Sequence, residues 1–139
     1  MAHQETITIE THGPGLIEFT NRVREFARGH QAAALLTLFV RHTSASLLIQ
    51  ENADPDVQTD LKTYFDRLVP QADDPAMAYL LHREEGPDDM PAHIKAALTQ
   101  TSLSVPVRDG QLMLGRWQGI YLWEHRTRPR TREVVLHLS

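Results

Sequence analysis

The chain has 139 residues, of which 41% are hydrophobic and 23% charged, a length and composition that predict one globular domain over residues 1–139. Its net charge of −4 argues against broad nucleic-acid binding, because such binding depends on neutralising phosphates with lysine and arginine. The chain contains no cysteine, which excludes disulfides and thiolate chemistry, so a transition-metal site must use histidine, aspartate or glutamate.

The first third of the chain predicts three strands and one helix. Residues 6–11 alternate and are rich in β-branched side chains, which indicates a strand. Residues 16–27 repeat apolar side chains at helical spacing, and Gly29 would close that helix. The continuous apolar run 33–40 is typical of a strand that is covered on both faces, and 46–50 predicts another strand.

The middle third predicts two helices that are separated by a long connection. Asp54 is a suitable cap for a helix that begins at Pro55, since proline fits the first helical position. Residues 71–89 are irregular and acidic, and a connection of that length in a compact domain is usually functional or mobile. A short helix is predicted over about residues 91–98, with Asp89 as its cap.

The last third is rich in strands. Residues 102–107 and 111–114 flank Asp109-Gly110, a strong hairpin turn. Two further strands are predicted over 119–124 and 133–138. The order of elements predicts an α+β fold, with mostly antiparallel strands in packed sheets and a few covering helices.

Two kinds of targeting segment are absent from the sequence pattern. No apolar run approaches the length of a membrane span, so we expect no membrane partner. Residues 1–6 have neither the basic region nor the apolar stretch of a signal peptide. We therefore expect a cytoplasmic protein.

Three histidines stand where predicted elements begin or end. His42 follows the strand 33–40, His93 lies in the short helix, and His125 follows the strand 119–124. Three imidazoles that meet would form a metal site, because neutral imidazole is a common ligand for zinc and similar ions. We therefore predict a divalent metal at these residues, zinc in first place, with magnesium as the alternative for a diphosphate substrate.

Small polar residues near these histidines are candidates for binding an anion. Thr43, Ser44 and Ser46 could hold phosphate oxygens beside His42, although turn hydroxyls also satisfy local backbone groups. Gly86 helps to fix the path into the short helix, where free N–H groups favour an anion. Lys95 lies in the first turns of that helix. We predict a phosphate at these residues.

Four arginines alternate with other residues after His125, at positions 126, 128, 130 and 132. A period of two would place them on one face of a strand. The first interpretation is a solvated strand face or a set of ion pairs between subunits. The second is an anion site near His125, in which Arg126 is the principal member.

Glu51 and Asn52 follow the strand 46–50 and are not needed to cap the next helix. A carboxylate and an amide at the end of a strand could orient a substrate or a metal-bound water. We therefore predict that these residues are catalytic.

Four segments, residues 42–46, 51–57, 85–95 and 114–126, together resemble the YjbQ family and keep its motif order over nearly the whole chain. The resemblance implies a small α+β fold with a β-sandwich-like core, a homotrimer, and a histidine-lined metal site at His42, His93 and His125. Some members of the family are named secondary thiamine-phosphate synthases. That activity joins a pyrimidine diphosphate to a thiazole phosphate with loss of pyrophosphate.

The chain departs from the family pattern at two positions. Arg116 stands where the family more often has threonine, and Arg130 stands where a histidine often follows a proline. Neither departure removes a proposed metal ligand, but both alter the groups that are available to contact an anion.

The leading hypothesis is a metal-dependent enzyme that acts on a phosphorylated small metabolite, most concretely in thiamine-phosphate synthesis. The second is a metal-dependent hydrolase of a phosphorylated metabolite, in which the same ligands leave a position open. The third is a non-enzymatic oligomer that binds a metabolite or a metal. Loss of folding on chelation without any turnover would favour the third hypothesis.

Overall fold

The computed structural model describes residues 3–29 and 32–139, and within them eight strands form two sheets. The strands are β1 (His3–Thr11), β2 (Gly15–Glu18), β3 (Ala34–Val40), β4 (Ala45–Glu51), β5 (Ser102–Arg108), β6 (Gln111–Leu112), β7 (Gln118–Glu124) and β8 (Arg130–Leu138). The helices are α1 (Thr20–Ala27), α2 (Pro55–Leu68) and α3 (Asp89–Leu98). One 3₁₀ turn, Pro75–Met77, interrupts the connection between α2 and α3.

All strand pairs are antiparallel. The larger sheet has the order β1-β8-β3-β5-β6, and the smaller has the order β2-β7-β4. Apolar residues from both sheets form one core cluster, which includes the fully buried Leu36 and Leu38 of β3 and Ile120 and Leu122 of β7. The predicted α+β fold with two packed, mostly antiparallel sheets is confirmed.

The apolar run of β3 does not have both faces covered in this structure, so that prediction is wrong. Leu36 and Leu38 are fully buried, whereas Leu35 and Phe39 on the opposite face are 44% and 47% exposed. The strand therefore alternates in burial although it does not alternate in polarity.

The helix predicted from residue 16 begins only at Thr20. Leu16 instead lies in β2, where it pairs with Trp123 of β7. Apolar side chains at helical spacing thus serve a short strand first and a helix second, because strand pairing outweighs the local preference.

The predicted start of α2 is confirmed, whereas that of α3 is wrong. The Asp54 carboxylate accepts the N–H of Asp56 at 2.9 Å, as a helix cap does. Asp89 was predicted as a cap, but it is the first residue of α3, and Asp88 precedes it without a capping side-chain bond. No helix within the described residues has the length and apolar composition needed to cross a bilayer.

The four alternating arginines do not share one strand face. Strand β8 begins at Arg130, so Arg126 and Arg128 lie in the connection before it. Arg126 and Arg132 are 5% and 4% exposed. The interpretation as a solvated strand face is therefore wrong for these two residues, because ion pairs inside the subunit bury them.

Candidate metal centre

His82, Asp89 and His93 bring one ligand atom each to within 4.8 Å of one another. The Oδ2 atom of Asp89 lies 2.7 Å from Nε2 of His82 and 3.3 Å from Nε2 of His93. Among the residues that the structure describes, no other group of at least three histidine or acidic side chains meets in this way. Two nitrogens and one oxygen form a ligand set that zinc commonly adopts.

The centre is built on the first turns of α3. Asp89 and His93 are four residues apart on this helix, so their side chains lie on the same face. Asp89 is 1% exposed, while His82, from the connection before α3, is exposed. The centre therefore has a buried carboxylate at its base and an imidazole at its solvent edge.

Arg83 fixes the connection that carries His82. Its guanidinium donates to three backbone carbonyls, those of Leu80, Ala72 and Met77, at 2.9 to 3.0 Å. One side chain thus closes a compact loop that would otherwise be irregular. This closure places the neighbouring His82 against α3.

Backbone contacts set the tautomer of His93. Nδ1 lies 3.0 Å from the carbonyl oxygen of Thr43. A carbonyl only accepts, so Nδ1 carries the proton and donates it. In the neutral ring, Nε2 then has a free lone pair and lies 3.3 Å from Oδ2 of Asp89, which is also an acceptor. A cation bound between the two atoms would satisfy both acceptors, and metal-binding histidines are commonly oriented by such a backbone contact.

Arg126 holds the carboxylates at the base of the centre. Its guanidinium donates to Asp88 at 2.8 Å, to Oδ1 of Asp89 at 2.7 Å and to the carbonyl of Glu85 at 3.0 Å. Burial would raise the pKa of Asp88, but hydrogen bonds from Arg126 and Thr127 outweigh it and lower that pKa. Asp88 thus stays ionised, and the carboxylate of Asp89 is oriented with Oδ2 toward the histidines.

The predicted anion ligand Arg126 therefore has its donors engaged within the chain. An added anion would have to compete with two carboxylates that are buried beside it. The role that this geometry gives Arg126 is to orient Asp89, and its role in binding substrate stays a prediction.

His125 lies apart from this cluster. Its Nε2 is 2.9 Å from Oγ of Ser46, and the ring is 3% exposed. Burial, with a further contribution from the positive charge of Lys95, lowers the pKa of His125 to about 3. The imidazole is consequently neutral over the physiological range.

His42 has a backbone partner of its own. Its Nε2 accepts the N–H of Glu133 at 2.8 Å. Burial and the charge of Arg132 lower the pKa of His42. Of the three histidines predicted as ligands, the structure thus places His93 in the cluster and gives different partners to His42 and His125. The three-histidine set stays a prediction.

The hydroxyls after His42 are mostly engaged. The Oγ atom of Ser44 accepts from Arg132, and Ser46 contacts His125. Thr43 is exposed, and its carbonyl orients the metal-centre histidine on α3. This segment therefore orients His93 through the carbonyl of Thr43. Its contacts with phosphate stay a prediction.

The two predicted anion residues near α3 also have internal partners. Lys95 is 4% exposed, and its Nζ lies 2.8 Å from Oδ1 of Asp66. Gly86 has φ of +103°, a backbone conformation that favours glycine, and its carbonyl accepts the N–H of Asp89. Gly86 therefore shapes the turn into α3.

Glu51 and Asn52 lie at the far end of β4 from Ser46, roughly 17 Å along the strand. The Glu51 carboxylate accepts the N–H of Asp54, and the Asn52 amide donates to Glu18. Within one subunit, these two residues are not brought to the His82–Asp89–His93 cluster. Their catalytic role stays a prediction.

A buried ion pair supports the end of β7. Glu124 is fully buried and pairs with Arg132, and it also accepts the hydroxyl of Thr11 at 2.6 Å. Its Oε2 accepts the backbone N–H groups of His125 and Arg126 at 3.0 Å. Glu124 therefore fixes the segment from which Arg126 reaches the metal centre.

Sequence reasoning missed two members of the cluster. The sequence pattern gives His82 no role in a site, and it predicts Asp89 only as a helix cap. The spacing of Asp89 and His93, four residues apart in a predicted helix, was the available signal, because such a pair can share one metal ion. His82 gave no comparable signal, since it reaches the centre through the fold of a loop.

The chain also resembles proteins with known sequences or structures. It is 52% identical to the UPF0047 protein sll1880 of Synechocystis over 139 residues, 99% of this chain and 91% of that protein. It is 41% identical to the UPF0047 protein YjbQ of Salmonella typhimurium, covering 100% and 99% of the two chains.

The crystal structure of the conserved hypothetical protein TT1486 of Thermus thermophilus matches with a TM-score of 0.80 and 35% identity, over 94% of this chain and 97% of that chain. The resemblance between the two folds thus extends over nearly the full length of both chains. The model of the family described as UPF0047 protein YjbQ-like matches residues 5–139. The chain belongs to this family.

Proposed function

We propose that the chain is a cytoplasmic, metal-dependent enzyme that acts on a phosphorylated small metabolite, with zinc held by His82, Asp89 and His93. The observation that carries the proposal is the 3.3 Å distance between two acceptor atoms, Nε2 of His93 and Oδ2 of Asp89. Two ligands of one tetrahedral zinc ion lie about 3.4 Å apart, since each bond is about 2.1 Å long. The pair is therefore spaced as two ligands of one ion would be.

The ligand chemistry favours zinc over magnesium. Magnesium prefers oxygen ligands in an octahedron, whereas two imidazoles suit zinc. Magnesium remains the alternative if it enters with a diphosphate substrate. A bound zinc ion would supply Lewis acidity that neutralises charge on the phosphate group of a substrate.

The surrounding residues supply the rigidity that such a centre needs. Arg126 fixes Asp89, and the carbonyl of Thr43 fixes the ring of His93. Outer partners of this kind typically contribute about 10–100-fold to metal affinity or activity. His82 at the exposed edge leaves the centre open to substrate.

The concrete reaction that we propose is thiamine-phosphate synthesis, which the family resemblance suggests. A bond forms between the pyrimidine methylene carbon and the thiazole nitrogen, while the bond from that carbon to the diphosphate oxygen breaks. Pyrophosphate is the leaving group, so a centre that binds phosphate oxygens suits this step.

The test is turnover with both substrates, measured as thiamine phosphate formed and pyrophosphate released. Asp89→Asn should lower the rate at least about 100-fold, because it removes the carboxylate charge from the centre. His12→Ala, which changes an exposed histidine in the turn between β1 and β2, is the matched control and should retain the wild-type rate. Full activity in Asp89→Asn would overturn the proposal.

A hydrolase is the second candidate, favoured by the exposure of His82. Three protein ligands leave one position of a tetrahedral ion open, and the 49% exposed side chain of His82 puts that position near solvent. Release of phosphate from phosphorylated metabolites without any coupling partner would distinguish the hydrolase from the synthase.

We also propose that the chain assembles as a homotrimer. Several large apolar side chains are exposed to solvent in the single chain, among them Leu35, Phe39, Tyr64, Leu68, Leu81 and Trp117. Assembly would cover such surfaces and could bring Glu51 of one subunit toward another. Sedimentation equilibrium should give three times the 15.8 kDa chain mass, and a monomer at micromolar concentration would contradict the proposal. A trimer without turnover would favour a metal- or metabolite-binding role.

A further inference from the structure

A polar cleft of about 820 Å³ adjoins the metal centre. Its lining comprises Gln71, residues 84–88, and Arg126, Thr127, Arg128 and Arg130. Asp88 lies in this cleft, while the next residue, Asp89, belongs to the metal centre. Arg126 bonds to both carboxylates, so one ion-pair network links the cleft to the centre.

The arginines of this cleft differ in what they have left to offer. Arg126 donates hydrogen bonds to Asp88, to Asp89 and to the carbonyl of Glu85. The side chains of Arg128 and Arg130 make no ion pair or hydrogen bond with the described residues. The guanidinium groups of Arg128 and Arg130 are therefore available to a ligand in the cleft.

Arg130 carries the more specific signal. Its Nε is the one buried side-chain nitrogen or oxygen in residues 3–29 and 32–139 without a hydrogen-bond partner. A buried donor that lacks an acceptor is costly, so native structures rarely leave one. The backbone of Arg130 pairs with Thr11, which holds the base of the side chain in place. The Arg130 side chain is therefore fixed at its base and has a donor that lacks an acceptor.

The charges in the cleft favour an anion next to Arg128 and Arg130. Arg126 is shared between Asp88 and Asp89, whereas Arg128 and Arg130 have no carboxylate partner among the described residues. The remaining acidic groups that line the cleft, Glu84 and Glu85, are exposed, and Oε2 of Glu85 lies 3.8 Å from Nη1 of Arg126. Guanidinium groups bind phosphate through paired N–H donors, which suits a phosphoryl oxygen better than a single carbonyl.

We propose that Arg130, with Arg128, binds the phosphate or diphosphate group of the substrate in this cleft. The identity of the ligand rests on the proposed function, but the anion site itself is tested without turnover. It assigns the anion contacts to two arginines that are free, in place of Lys95 and Arg126, which are already paired.

The experiment is a calorimetric titration of the full chain with pyrophosphate, and separately with inorganic phosphate, at fixed ionic strength. Arg130→Gln should weaken pyrophosphate binding by about tenfold or more, since it removes a charged hydrogen-bond donor. Arg128→Gln should weaken binding less, because this residue is more exposed. Arg108→Gln removes an exposed arginine of β5 and should leave the affinity unchanged.

Glu84→Gln provides a readout of opposite sign. It removes an exposed negative charge from the lining of the cleft and should tighten binding, and this readout holds even if Arg130→Gln does not fold. The inference is overturned if wild type binds no pyrophosphate at millimolar concentration. It is also overturned if Arg130→Gln binds like wild type, or if Arg108→Gln loses as much affinity as Arg130→Gln.

Metal content, measured on the same samples, separates this inference from the proposed function. If the protein contains metal but Arg130→Gln binds pyrophosphate as tightly as wild type, the inferred anion site is overturned and the proposed metal-dependent enzyme is unaffected. If the protein is metal-free but Arg130→Gln weakens its pyrophosphate affinity, the anion site is supported and the proposed metal-dependent enzyme is overturned.

Discussion

Nη1 of Arg126 lies 2.7 Å from Oδ1 of Asp89, and the two side chains are 6% and 1% exposed. A carboxylate buried this deeply must be paired, because its desolvation is otherwise too costly. The pairing leaves Oδ2 of Asp89 directed at His82 and His93. One buried ion pair thus connects the stability of the fold to the geometry of the metal centre.

Replacing Arg126 by methionine should lower the free energy of unfolding by about 3–5 kcal/mol, because Asp88 and Asp89 lose their counter-charge. Urea denaturation at neutral pH measures this change. Arg108→Met, an exposed substitution, is the control and should stay within about 0.5 kcal/mol of wild type. Equal stability of Arg126→Met and wild type would contradict the importance of this ion pair.

The buried His125 should make stability depend on pH. Its pKa is lowered from 6.5 to about 3 in the folded chain, mainly by burial. Between these values the unfolded chain binds the proton and the folded chain does not. Stability from this group is therefore complete above pH 6.5 and falls by up to about 1.4 kcal/mol per unit as the pH drops toward 3.

His125→Gln removes this titration, so its unfolding free energy should depend less steeply on pH than that of wild type between pH 6.5 and pH 4. Urea denaturation across that window provides the comparison. His12→Ala, at an exposed histidine, should retain the wild-type slope. Parallel curves for His125→Gln and wild type would contradict a neutral, buried His125.

Glu124→Gln tests the second buried ion pair. Burial would raise the pKa of Glu124, but bonds from Arg132 and Thr11 outweigh burial and lower it below 4.5. Removing the charge leaves Arg132 unpaired, so the variant should be less stable at pH 7 by about 3–5 kcal/mol.

The Glu124 contribution is present above the unfolded pKa of 4.5 and is lost as pH falls through the lower folded value. The stability difference between wild type and Glu124→Gln should therefore narrow below pH 4.5. Thermal unfolding at pH 7 and pH 3.5 measures this change. A difference that is constant or larger at the lower pH would contradict the prediction.

The fold was largely predictable because local patterns agree with it. Asp54 and Pro55 mark the start of α2, and Asp109-Gly110 forms its hairpin with φ of +53° and +76°. The boundary before α1 was not predictable, since β2 exists only through its pairing with β7. Long-range pairing of this kind leaves no periodicity in the sequence itself.

The candidate site was predictable only in part. His93 stands at a helix start, where a histidine attracts attention, and the structure places it in the cluster. His82 arrives through a loop that Arg83 closes with three backbone contacts. Such closure depends on the path of the chain in space, so it could not be read from residue types.

Trp117 has φ of +73°, a backbone conformation that costs energy for a residue with a side chain. Its side chain is 58% exposed, so little packing offsets that cost. Trp117→Gly should therefore keep or raise the unfolding free energy, by up to about 1 kcal/mol. The matched control is Tyr64→Gly, an exposed aromatic residue inside α2, which should lose about 1 kcal/mol. Destabilisation of Trp117→Gly beyond that of the control would show that Trp117 packs against something important.

The most direct test of the metal centre is the metal content of tag-free protein, measured by mass spectrometry for wild type, His93→Ala, His82→Ala, His125→Ala and the control His12→Ala. We predict about one zinc per chain in wild type, lost in His93→Ala and His82→Ala and kept in His125→Ala and His12→Ala. Folded wild type without metal would contradict a metal centre altogether. Metal that persists in His82→Ala but is lost in His125→Ala would contradict the His82–Asp89–His93 centre and support the three-histidine set instead.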